Sequence, residues 1–330
     1  MPERLTPEEG RERARAVLAG AVACAPIQDL EDGRWPDALA GTVVLVTEEV
    51  PAQQAIGLYA ACKRQRAQSR LSPLIVTRAG YDQLRLREWL APDRPAADAL
   101  AAALAAHDAL TAERFFAARR EGAEHDAAEM IEAALDDLGR VAGCDPMAIL
   151  HRIRIGDLEA IAGGEDFEPA DLLPDDVAAA HATGLAEREA MREMARRRPG
   201  PPLIPQQPIR TFDEASALAE IADGPTRLLL VSVPPTAALL VLGFGGVDDC
   251  PPPAAHARVW EHWRAAIGAE PVLLDGASLS GVVARPVATR AALVQFAAEV
   301  ALYDPDALES GELALAGTLV RNAGIELCWD

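Results

Sequence analysis

Residues 41–77 read GTVVLVTEEVPAQQAIGLYAACKRQRAQSRLSPLIVT, and this stretch decides the fold class. Gly41–Thr47 is short, β-branched and bounded by glycine and charge, the pattern of a buried strand. Leu71–Thr77 repeats that pattern. Between them Pro51–Ser69 reads as a helix. Lys63, Arg64 and Arg66 gather near its end, where cations suit the helix dipole. Strand, helix, strand predicts a crossover joining a parallel pair. The link Glu48-Glu49-Val50-Pro51 is acidic and holds no glycine, so it does not cradle phosphate as a nucleotide loop does.

Toward the N-terminus, residues 5–24 predict a helix opening at Thr6-Pro7-Glu8-Glu9. The apolar run 16–25 has the length of a signal segment ending at Cys24. Glu3, Glu8, Glu9 and Glu12 give the region before it the wrong charge for export. From about Tyr81 to Arg198 the chain turns helical and acidic. Residues 97–106 are nearly all Ala and Leu, 123–141 are amphipathic, 145–158 and 174–197 are further helix candidates, and Gly163-Gly164-Glu165-Asp166 marks a break. Residues 199–208 are a proline-rich linker.

Beyond the linker, 228–233 predicts a strand, 234–242 fits either helix or strand, with Pro-Pro at its start and its alanines favouring helix, and 243–253 is a loop. A helix over 254–267 and strands over 271–275 and 279–284 follow. Then come a helix over 289–303 capped by Thr289, a helix over 312–322 closed by Gly324, and a strand over 325–329. The expected class is therefore mixed α/β. It combines a small mixed sheet with flanking helices in the C-terminal part, an N-terminal βαβ-like unit and a largely helical acidic middle. The expected segments are 1–95, 96–198, a linker at 199–214, and 215–330. Local pattern leaves open whether the two α/β parts share one sheet.

Half of the 330 residues are hydrophobic, enough to bury a core without disulfides or metal. The formal net charge is −20. Such a surface repels nucleic-acid backbones and anionic membranes; it either serves solubility alone or also steers basic proteins toward the chain. No apolar run approaches the length of a membrane span. The five cysteines are odd in number and form no CxxC pair, which suits free thiols in a reducing, cytoplasmic compartment.

Part of the C-terminal segment carries a recognisable set. Gly243-Phe244-Gly245-Gly246 is followed by Asp249-Cys250-Pro251 and by Trp260. Next come Gly268-Ala269-Glu270, Arg285-Pro286, Ala297-Ala298-Glu299, Tyr303-Asp304 and Trp329-Asp330. In order and spacing this set resembles the bacterial family Domain of Unknown Function 4253 over about 100 residues. Residues 51–77 resemble the N-terminal part of its longer members. The resemblance implies a fold and candidate positions, and it names no activity. Where the family tends to carry Trp-Asn, this chain has Val247-Asp248. Where the family ends in an aromatic run, this chain has Glu326-Leu327-Cys328.

The candidate binding residues are Gly245, Gly246, Asp248, Asp249, Cys250, Trp260, Trp263, Arg285, Glu299, Asp304, Trp329 and Asp330. Two readings stand for the loop: a ligand loop, or a tight connector whose Asp caps the next helix. The carboxylates beside Cys250 oppose thiolate formation. His256, Trp260 and Trp263 fall on one helix face, as a core seam or an aromatic binding patch. Glu299, Asp304 and Asp330 either cap helices and pair with Arg285 or do acid–base work, with or without a divalent cation. His125 and Glu129 stand four apart on an expected helix but have no third ligand. No motif identifies a cofactor. A binding module facing a basic protein is the first expectation, and an enzyme using Glu299 and Asp304 is the alternative. Oligomeric state is open.

Overall fold

The buried apolar runs become neighbouring strands of one sheet. In the computed structural model the described residues are 5–19, 24–26, 42–84, 95–123, 125–142, 225–246, 249–285, 289–309, 311–321 and 324–329, with 146, 150 and 287 singly. Asp248, Asp330, the linker at 199–214 and the helices expected over 145–158 and 174–197 lie essentially outside them. The chain divides into two units. The first takes residues 1–115, 211–284 and 324–330, and the second takes 116–210 and 285–323.

The first unit is built on a seven-stranded mixed sheet. Its strands are β1 Cys24–Pro26, β2 Val44–Thr47, β3 Ser72–Thr77, β4 Thr226–Val231, β5 Ala269–Asp275, β6 Ser278–Val283 and β7 Gly324–Cys328. Their spatial order is β1-β2-β4-β3-β5-β6-β7. The N- and C-terminal α/β parts therefore share one sheet. Its helices are α1 Pro7–Leu18, α2 Ala52–Ser69, α3 Arg78–Gln83, α4 Pro95–Ala109, α7 Pro235–Leu242 and α8 Pro253–Ile267. The helix α5, Ala112–Gly122, crosses the boundary in sequence.

The expected parallel pairing of β2 with β3 needs correction. Both run antiparallel to β4, which lies between them, so they share a direction without touching. The reason is β4 itself: Leu228, Leu229, Leu230 and Val231 are all buried, and a strand apolar on both faces belongs in the middle of a covered sheet. The parallel contact that does form is β3 with β5.

The helix expected over 5–24 ends at Leu18, because Ala19 adopts a left-handed conformation with φ 52. Cys24 then starts β1. The helix start is as expected. Thr6 accepts from the Glu9 backbone N–H while Glu9 bonds back to the Thr6 N–H, a reciprocal cap. One core cluster brings Ala14 and Leu18 of α1 and Leu58, Tyr59 and Cys62 of α2 onto Leu45, Ile75, Leu228 and Leu230 of the sheet. On the opposite face Trp260 of α8 lies against Gly281 of β6. A Cβ at Gly281 would stand 2.2 Å from Trp260 Cη2 and 2.7 Å from the Glu270 carbonyl oxygen. Gly281→Ala is expected to cost about 2 kcal/mol through overpacking, measurable as a lowered urea midpoint at unchanged slope.

The second unit holds α6 Ala127–Ala142, α9 Arg290–Tyr303, a 3₁₀ turn Pro305–Leu308 and α10 Glu312–Arg321. Thr289 caps α9 by accepting from the Ala292 N–H, and Arg290 reaches Asp136 on α6. Gly324 begins β7 rather than closing α10. His125 precedes α6, so it does not share a helix face with Glu129, and both are exposed.

Candidate functional site

The glycine loop grows out of the end of α7. That helix opens on Pro235, where a missing N–H costs nothing, and closes on Gly243 with φ 68. The Gly243 N–H donates to Leu240 O at 3.1 Å and the Phe244 N–H to Leu239 O at 3.0 Å. Together they satisfy the last carbonyls of the helix. Gly245 and Gly246 follow with φ 89 and 74. The Gly246 N–H is shared between the carbonyls of Cys250 at 3.1 Å and Pro251 at 2.9 Å. These bonds fold the loop back on itself and deliver Cys250 to the start of α8.

Helix α8 begins at Pro253 with Pro252 as its cap residue and no side-chain capping bond. The expected Asp cap from the loop is therefore absent at the described Asp249, which is exposed. A helix led by prolines has fewer N–H groups needing an acceptor.

His256, Trp260 and Trp263 share one face of α8 and all three are buried. Trp260 and Trp263 meet edge to face at 5.6 Å between centroids. His256 sits between Phe244 of the loop at 4.9 Å and Trp329 at 5.2 Å. Trp329 follows β7 and its N–H donates to Ala277 O in the β5–β6 turn at 3.3 Å. Loop, helix and final strand thus converge on one imidazole. Cys250 Sγ lies 3.3 Å from His256 Nε2. Burial pushes the His256 pKa down to about 3, partly offset by its hydrogen bond to the Pro251 carbonyl. The ring is neutral at pH 7, and so weak a base is poorly matched to ionising the thiol.

Glu299 and Asp304 belong to the second unit and are buried there. Gln295 Nε2 donates to Glu299 Oε1 at 3.0 Å, one turn back on α9. Asp304 ends α9 through its N–H to Val300 O at 2.8 Å, and its carboxylate accepts from the Asp306 N–H at 3.2 Å, starting the 3₁₀ turn. Arg285 is exposed. Asp304→Ala is expected to lose about 1 to 2 kcal/mol while Asp304→Asn, which keeps the capping oxygen, loses much less. Paired thermal melts check this.

Two arrangements were hidden from sequence reading. Cys250 and His256 were visible separately, and their six-residue spacing across Pro251-Pro252-Pro253 was the available signal. The second arrangement is a polar tie at one end of the sheet. Glu49 takes a two-point contact from Arg78 at 2.7 and 3.2 Å and a third bond from Arg227 at 3.1 Å. The Arg78 hydrogen bond holds the Glu49 carboxyl below its usual range. Tyr81 lies against the Arg227 guanidinium at 4.9 Å. The acidic link after β2 therefore fastens β2, α3 and β4 together.

Among the described residues no group of three or more His, Cys, Asp or Glu is placed to hold a metal ion. No helix among them is long and apolar enough to cross a membrane. No curated protein and no solved structure matches the chain. The stretch that supplies β4 to β7 and the glycine loop, residues 227–330, matches the family described as Domain of unknown function (DUF4253).

Proposed function

We propose that this chain is a non-catalytic binding module that engages a basic protein. The observation that carries the reading is how its unusual side chains are disposed. Cys250, Trp260, Trp263 and Trp329 are occupied in packing within the first unit. Acidic residues such as Glu8, Glu12, Asp98, Asp108, Asp249 and Glu261 are exposed, in a chain of net charge −20. Complementary charge accelerates encounter and penalises wrong partners. The same field repels phosphate backbones and anionic membranes, so a basic protein is the matching class. Cys62, Cys250 and Cys328 are not joined in disulfides, which supports a reducing, cytoplasmic setting.

The test is retrieval from native-host lysate at low ionic strength, followed by association kinetics with the retrieved protein. The reading expects an association rate that falls steeply between low and physiological salt. A rate that is flat with salt contradicts it.

A further inference from the structure

The sheet has two edges, and they are not alike. The β1 edge is three residues long and ends in Pro26. Shortness and a proline are devices that stop another strand from adding to an edge. The β7 edge is five residues, Gly324-Ile325-Glu326-Leu327-Cys328, with neither proline nor lysine. It pairs with β6 along its whole length, from Ser278↔Cys328 to Val282↔Gly324. Among the described residues no strand pairs on its outer side.

Its register is strongly held. Ile325 stands opposite Gly281, whose Cα faces Trp260 of α8, so Ile325 and Leu327 point to the α8 face, and both are buried. A one-residue slip would turn them to the other face. That face carries Glu326, which is exposed, and Cys328, which accepts from Ser278 Oγ at 3.2 Å. The edge is therefore a fixed template with a single charge at its centre.

We infer that the β7 edge is a docking surface for an extended basic segment, which adds to the sheet as an outer strand. The inference rests on the charge-driven partner reading above and gives it a place. A residue added directly opposite Glu326 comes within about 5 Å, where opposite charges stabilise and like charges destabilise the pair. A lysine or arginine therefore fits that position. A second copy of this chain paired symmetrically about Glu326 sets carboxylate against carboxylate, between bodies that each carry −20. Main-chain hydrogen bonds would supply affinity, and alternate side chains would supply the choice of partner. Apolar residues in the added segment would fall beside Ile325 and Leu327.

The experiment uses the full chain and a fluorescent peptide of roughly ten residues alternating lysine and valine. Controls are the same sequence N-methylated throughout, which keeps the charges and removes the backbone donors, and an alternating glutamate–valine peptide. The expected result is binding of the lysine peptide with slowed amide exchange at residues 324–328. N-methylation should weaken it at least about tenfold through the lost ladder. Glu326→Lys should weaken it by about fivefold, the scale of one cross-strand pair. The exposed position keeps that variant folded.

Equal binding of the methylated peptide, or protection elsewhere with β7 unchanged, overturns the edge assignment and leaves the charge-driven partner reading standing. Failure of the lysine peptide to bind, or pairing of the chain with itself through β7 in sedimentation, also overturns it. Binding at β7 without any salt-sensitive basic protein from the host upholds the edge and sinks the partner reading.

Discussion

Gly245→Ala is expected to destabilise the first unit by about 4 kcal/mol, summing backbone strain and a clash that nothing nearby can relieve. Gly245 has φ 89, where a side chain costs about 1 to 3 kcal/mol. The added Cβ would stand 2.3 Å from His256 Nε2 and 2.3 Å from the Pro251 carbonyl oxygen. Neither can retreat. His256 is held between Phe244 and Trp329, and the Pro251 carbonyl is tied to the Gly246 N–H. Urea unfolding of the variant measures the loss. Shortening the ring position, as His256→Ser, should return part of the loss in the Gly245→Ala background, since the two changes share one space. A loss below about 1 kcal/mol would mean that the loop does not pack on the imidazole as described.

The second large effect is acid sensitivity from His256. The folded chain keeps this ring neutral down to about pH 3, whereas an ordinary histidine accepts a proton near 6.5. Below 6.5 the unfolded chain therefore binds a proton that the folded chain refuses, and stability falls as pH falls. The contribution is complete above pH 6.5 and is lost through the interval down to about 3. Each pH step in that interval weakens the fold by about 1.4 kcal/mol, and the whole interval by roughly 5 kcal/mol. Carboxylates add their own acid response, so the informative quantity is the difference between the wild type and His256→Gln. The glutamine keeps a donor for the Pro251 carbonyl and does not titrate. Its unfolding free energy should be lower at pH 7 by about 1 to 2 kcal/mol, with a visibly shallower acid limb. Parallel limbs would place His256 in a wetter site.

Much of the architecture was legible because it is local. The runs 41–47 and 71–77, the Thr6 and Thr289 caps and the helix over 253–267 each announce themselves by period and boundary chemistry, whereas the helix over 235–242 fits a strand pattern as well and is favoured only by its prolines and alanines. The insertion of β4 between β2 and β3 was not legible, since it joins residues from about 150 to nearly 190 positions apart and only their burial selects it. The end of α1 depended on Ala19 taking a conformation that alanine seldom takes.

For the candidate site, sequence could group His256 with Trp260 and Trp263 through helical spacing. It could not see that Cys250 and Trp329 close on the same ring, because that meeting needs the loop folded by Gly245 and Gly246 and the last strand placed beside β6. Of the two readings of the loop, one had its Asp capping α8; the described Asp249 is exposed and makes no such cap, and the prolines at the helix start leave fewer N–H groups to satisfy.

The proposed engagement of a basic protein through complementary charge has one decisive test. Native mass spectrometry of the chain taken from its host at low salt tests it most directly. The expected result is a stoichiometric complex with one basic protein that dissociates as ionic strength rises. A bare chain, or a bound mass that persists unchanged at high salt, would contradict it.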